Sequence, residues 1–145
     1  MIQVTTDGSC DRGRMRGAWV IRYGKDAATK LGEEGSRPFG KGTSNEAEYL
    51  ALIHGCRLAT DITQKGESVV VYTDSQLVVR QLAGVYRVKS KRLRELNKKA
   101  RELLTTLKAK LMWHRRDEGD GPLADTLANG RADAQNGNES NNYED

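Results

Sequence analysis

Cysteine, histidine and long apolar runs are all scarce in this chain of 145 residues. Its two cysteines, Cys10 and Cys56, are too few for a disulfide framework or a thiolate metal cluster. Free thiols in a reducing compartment are therefore expected. No apolar stretch approaches the roughly 18 residues that a membrane-spanning helix needs, which excludes a bilayer as partner. The opening MIQVTTDG passes directly into strand-like alternation, with no basic leader before an apolar stretch, so export is not expected. A cytoplasmic protein is the default. Internal repeats are missing as well.

What is present is an ordinary globular composition, 37% hydrophobic and 30% charged, in a length that suits one domain. The net charge is +4, but the end of the chain from Gln135 holds Glu139, Glu144 and Asp145 and no base. Removing those three charges leaves +7 on the remainder, a balance that suits a polyanionic partner. The closing AQNGNESNNYED is rich in Asn, Gly and Ser and offers little to bury. The expected organisation is one folded domain over 1–134 and a disordered acidic tail over 135–145.

Residues 2–6 (IQVTT) and 18–23 (AWVIRY) alternate as strands, with a weaker third at 28–34. Gly-rich turns between them suggest an antiparallel meander. The period becomes helical after Gly42, where Ala47, Leu50, Ala51 and Leu58 recur at helical spacing and Thr43 with Glu46 forms a capping box. The branched run ESVVVYT reads as a strand covered on both faces. A short helix follows to Leu82, then a leucine-striped helix over 90–108, a strand KLMWHRR, and a helix near 122–134 opened by Pro122. The order βββαβααβα predicts an α/β fold with a mixed sheet of five strands, three antiparallel and then parallel, flanked by helices.

Four acids stand out against bland alternatives. Asp7 in VTTDGS suits a turn, Glu48 an exposed helical face, and Asp74 and Asp125 the positive end of a helix. Their combination says more. If the strands ending at Asp7 and Asp74 are parallel neighbours, both acids lie beyond the carboxyl edge of the sheet, where sites form in open α/β folds. The helices would bring Glu48 and Asp125 over them. Four clustered carboxylates persist at neutral pH only by protonation or with a multivalent cation, and an all-oxygen donor set favours Mg²⁺, with Mn²⁺ as the alternative.

The segments TDGSC (6–10), TSNEAEYLALIHG (43–55), YTDSQLVVRQLAGVYRVKSKRL (72–93) and LADTLAN (123–129) resemble the four signature blocks of ribonuclease H type 1, in order. The resemblance spans residues 6–129. It implies the ribonuclease H fold and an endonuclease that cuts the RNA strand of an RNA–DNA hybrid, leaving 5′-phosphate and 3′-hydroxyl ends. Its catalytic, metal-binding acids match Asp7, Glu48, Asp74 and Asp125; the Thr-x-Asn-x-x-Glu pattern selects Glu48 over Glu46. Two Mg²⁺ about 3.5–4 Å apart would share the scissile phosphate. Asp7 would bridge them, with Glu48 and Asp74 completing one site and Asp125 the other. The resemblance further implies that Gly8, Ser9 and Cys10 form a loop meeting the RNA strand, and that Asn45 and Gln76 reach the minor groove, where 2′-hydroxyls distinguish RNA. Gln76 is also placed to form a capping box with Thr73. Arg87, Lys89, Lys91 and Arg92 would meet DNA-strand phosphates.

The chain departs from the family pattern in three places. Where many relatives carry an Asn-Pro-Gly turn, DRGRMRGAW (11–19) holds Arg12, Arg14 and Arg16. Only Val85 to Lys89 separate Gly84 from Ser90, leaving no room for the basic handle of some bacterial relatives and resembling the compact, archaeal-like branch. No separate hybrid-binding domain is expected before the core, a monomer is expected, and the acidic tail is a candidate contact for a replication protein. His114 falls in the expected strand next to Trp113, before the 117–121 loop on which some relatives carry a histidine. It is expected to be packed or at the surface, leaving Asp117, Glu118 or Asp120 for the loop's role. Integrases and junction resolvases share the fold, but TSNEAEY and TDSQLVV argue against DNA cleavage. A hybrid-binding module without activity would have lost an acid, and all four are here.

Overall fold

The computed structural model describes residues 1–24 and 30–130. The tail over 135–145, positions 131–134 of the expected last helix and the start of the expected third strand lie outside those residues, and within them that helix already ends at Ala128, with Asn129 as its cap. Nine elements follow one another: β1 (Ile2–Asp11), β2 (Arg14–Tyr23), β3 (Leu31–Lys41), α1 (Ser44–Ile62), β4 (Val69–Thr73), α2 (Gln76–Leu82), α3 (Lys91–Leu107), β5 (Lys110–Trp113) and α4 (Gly121–Ala128). The sheet order is β3-β2-β1-β4-β5, with β1–β2 and β2–β3 antiparallel and β1–β4 and β4–β5 parallel. This is the mixed five-stranded sheet that the element order predicts.

The meander is longer than the alternation suggests. β1 continues past Asp7 to Asp11, and β2 begins at Arg14, so 8–10 is strand and not the expected loop. The 11–17 segment is likewise a tight hairpin: Arg12 and Gly13, both left-handed with φ of 53° and 75°, join the strands. Those are the backbone angles of a two-residue turn matched to strand twist. β3 runs to Lys41 through Gly35, Pro38 and Gly40, residues that look like loop in sequence. An edge strand tolerates them because one side of its ladder needs no donor. At the other boundaries the expected strand over KLMWHRR stops at Trp113.

The core joins the sheet to α1 and α3 through Ile2, Val4, Trp19, Ile21, Leu52, Ile53, Val71, Leu96 and Ala100. Alternation along β1 sends Val4 and Thr6 toward α1 and Thr5 and Asp7 to the opposite face, where α4 packs on β1 and β2. α1 begins as its sequence indicates: Thr43 is the N-cap and its hydroxyl oxygen accepts from the Glu46 amide at 3.2 Å. α2 is capped by Ser75, whose Oγ accepts from the Val78 amide, so the expected Thr73–Gln76 capping box does not form. Both cysteine thiols are free. Among the described residues no helix is long and apolar enough to cross a membrane.

Candidate active site

The register of the two central strands sets the site. β1 and β4 run parallel with Thr6 opposite Thr73, so Asp7 and Asp74, the next residue after each, stand side by side where the pairing of the two strands ends. Asp74 lies between the last residue of β4 and the N-cap of α2, so the acid follows the valine run at the carboxyl end of the strand. The indole N–H of Trp113 donates to the Asp74 carbonyl at 3.0 Å and fixes that turn from β5.

α1 reaches the pair because β1 carries Gly8 at the crossing. A Cβ on Gly8 would collide with the backbone of Ala47 and Glu48, so only glycine permits this approach. In return the Gly8 amide donates to Glu48 Oε1. Asp7, Glu48 and Asp74 thereby bring one carboxylate oxygen each within 4.8 Å of one another. Asp125 comes from α4 and approaches Asp7 on the other side, close enough to act on it through both charge and a hydrogen bond. Its own Oδ1 accepts from Asn129 Nδ2 at 2.8 Å.

α4 is moored at several points. Arg22 of β2 donates from Nε and Nη2 to the two Asp120 carboxylate oxygens at 2.7 and 3.0 Å. Ser9 Oγ donates to the Ala128 carbonyl at 2.6 Å, Pro122 occupies the first turn, and Gly121 packs against the Arg116 backbone. Asp120 is thus part of this mooring, while Asp117 and Glu118 pair with Arg115.

Crowding has an electrostatic consequence. Burial, then the charges of Asp74 and Asp125, push the Asp7 carboxyl up from 3.8 to about 7. Burial followed by Asp7 and Asp74 raises Glu48 well above the usual carboxylate range, against the lowering effect of the Gly8 amide. Asp7 Oδ1 and Asp74 Oδ1 are buried with no hydrogen-bond partner. Crowded carboxyl groups converging on one point, two of them with an unpartnered oxygen, form an oxygen-only donor set suited to a hard divalent cation.

The other anticipated residues are placed as follows. Asn45 and Gln76 are exposed at the starts of α1 and α2, and Arg87 and Lys89 are exposed on the connection between α2 and α3. Lys91 and Arg92 are exposed in the first turn of α3. Cys10 Sγ donates to the Gly42 carbonyl at 3.2 Å, so the side chains of both Ser9 and Cys10 are engaged within the protein. His114 is buried against Tyr72, ring centroids 5.5 Å apart, and belongs to the packing under α4. One residue escaped the sequence analysis: Arg116 donates from Nε to Asp74 Oδ2 at 2.8 Å, its own side chain largely exposed. The adjacent His114–Arg115–Arg116 run gave no sign of which base would turn inward.

Residues 5–130 match the reverse transcriptase-like family. Ribonuclease HI of Halobacterium salinarum is 37% identical over 87 residues, 60% of this chain and 41% of that protein. The chain spans less than two thirds of the length of the curated relatives it matches. The crystal structure of RNase H1 from Halobacterium salinarum superposes with a TM-score of 0.79 at 30% identity, covering 92% of this chain and 98% of that one. LC11-RNase H1 in complex with an RNA/DNA hybrid aligns with a TM-score of 0.78 at 28% identity, over 93% and 99% of the two chains. With the same strand order, and a match that runs through nearly every described element, the chain belongs to the reverse transcriptase-like family and, within it, to the type 1 ribonucleases H.

Proposed function

We propose that this protein is a divalent-metal-dependent endoribonuclease that hydrolyses the RNA strand of RNA–DNA hybrids, leaving 5′-phosphate and 3′-hydroxyl ends. The observation that carries it is the convergence of Asp7, Glu48 and Asp74 within 4.8 Å, with two orphaned carboxylate oxygens among them. Asp7, Glu48 and Asp74 would hold one Mg²⁺ and Asp7 with Asp125 a second; Mn²⁺ fits the same donors. Bound ions supply activation of the attacking water and charge neutralisation at the scissile phosphate and the departing 3′ oxygen.

The protein's own contribution is positioning. Gly8 holds Glu48 in place through its amide, Trp113 holds the turn that carries Asp74, and the Arg22–Asp120 pair holds the helix that carries Asp125. Burial of Asp7 keeps water from satisfying its oxygens, which favours a cation over solvent. Asn45 and Gln76 are assigned to the minor groove of the hybrid, where 2′-hydroxyls lie. Arg87 and Lys89 are assigned to DNA-strand phosphates, and the 8–10 segment meets the RNA strand through its backbone, since Ser9 and Cys10 spend their side chains internally. A cytoplasmic monomer acting on primer and transcript hybrids suits this chemistry.

The test is cleavage of labelled RNA–DNA hybrid, duplex DNA and single-stranded RNA with Mg²⁺ or with chelator. Cutting of the hybrid alone, lost with chelator and in Asp7→Asn, is the expected result. Cleavage of duplex DNA, or an Asp7→Asn protein as active as the parent, overturns the proposal.

A further inference from the structure

The hairpin between β1 and β2 carries charge that the fold itself does not use. Arg12 forms the turn and Arg14 opens β2, where the sheet register sets it directly opposite Lys41 of β3. All three are exposed, and among the described residues none makes an ion pair or side-chain hydrogen bond. Asp11 faces Arg14 from β1 without closing on it, so the cluster keeps a positive excess. Like charges directly opposite on an antiparallel ladder destabilise it. A long side chain at left-handed φ is also disfavoured relative to the Asn or Gly usual in such a turn.

Two costs to stability at one spot point to a polyanion outside the chain. The position suits that partner. Asp7, Ser9 and Asp11 alternate onto one face of β1, and their partners Ala18, Arg16 and Arg14 share that face on β2. Arg14 and Lys41 therefore stand on the same face as Asp7, about 13 Å along the strand. The platform is fixed: the Gly42 amide donates to the Gly13 carbonyl at 2.9 Å, and Cys10 Sγ donates to the Gly42 carbonyl. The hairpin tip is thereby tied to the chain entering α1, which carries Glu48.

We infer that Arg12, Arg14 and Lys41 form a phosphate-binding rail that grips the backbone of the strand being cut, a few nucleotides from the scissile phosphate. The inference rests on the hybrid-cleavage function proposed above. The rail supplies affinity that a basic handle would otherwise provide, and it acts on binding rather than on the chemical step.

Two measurements on the full chain test it, comparing the parent with Arg14→Gln/Lys41→Gln and with Arg14→Lys. Affinity for intact hybrid is measured in the Asp7→Asn background across a salt series, and steady-state cleavage with the four acids in place. The double variant is expected to bind about tenfold more weakly, with the slope of log affinity against log salt reduced by about one to two. Its KM should rise while kcat is kept, its melting temperature should be equal to or above the parent's, and Arg14→Lys should retain most of the affinity. Trimming the hybrid from one end should cost the parent affinity but leave the double variant indifferent. An unchanged salt slope, or equal sensitivity to trimming in both proteins, overturns the rail. A parent that does not cut hybrid at all instead overturns the function on which the rail rests, so the two failures are distinct.

Discussion

Glu48 and Tyr49 are neighbours on α1, yet they enter two buried polar clusters built on opposite terms. Tyr49 Oη donates to Gln81 Oε1 at 2.8 Å and accepts from Asn97 Nδ2 at 3.0 Å, tying α1 to α2 and α3 with every member neutral and partnered. Glu48 turns toward Asp7 and Asp74, where the groups repel one another and two oxygens lack partners. Satisfied buried polar groups specify a fold; unsatisfied ones of like charge are kept for a ligand. One turn of helix thus serves stability on one side and chemistry on the other.

The sharpest way to break the contrast is to remove one charge. Asp7→Asn should cut hybrid hydrolysis by about 10³-fold, since losing a metal site forfeits several kcal/mol of transition-state stabilisation at about 1.4 kcal/mol per decade. Its melting temperature without metal should stay level or rise, because a repulsive group has gone. Tyr49→Phe should do the reverse. It strands Gln81 and weakens the tie to Asn97 at a cost of about 1–3 kcal/mol by urea unfolding, with kcat near the parent's at temperatures where the variant is folded.

Acidity sharpens the same comparison. Asp7 ionises at about 7 in the folded protein and near 3.8 when unfolded, so between those values the native state binds more protons. Stability without metal should therefore fall as pH rises from about 4 to about 7 and level off above. Melting curves across that range, with and without Mg²⁺, check the sign: added Mg²⁺ should raise the midpoint most at pH 8 and least at pH 5. The smallest effect concerns Arg116, a cation already seated on Asp74. Arg116→Gln should tighten Mg²⁺ binding several-fold in a titration without nucleic acid, because one competitor for the carboxylate is removed. Unchanged metal affinity would separate Arg116 from the site.

Much of this layout was legible in the residues. The valine run into Asp74, the capped start of α1 and the order of strands and helices gave the sheet, and four acids at the ends of distant segments nominated the site. The antiparallel pairing of β1 with β2 was legible, but the tightness of their turn and the length of β3 were hidden because Arg-Gly is an uncommon primed turn and Gly and Pro on an edge strand look like loop. The burial of Asn97 was equally hidden, since its partners Tyr49 and Gln81 come from other helices.

By itself the sequence determined which chemistry was available, because carboxylates, basic residues and periodicity are local properties of the chain. Tertiary structure alone decided which groups meet. The parallel pairing of β1 with β4 brings Asp7 beside Asp74, and the missing side chain of Gly8 admits Glu48. Arg116 rather than Arg115 turns inward, and Arg14 faces Lys41 across a ladder. Each of these contacts joins residues far apart in the chain or chooses between neighbours, and only packing in three dimensions fixes that choice.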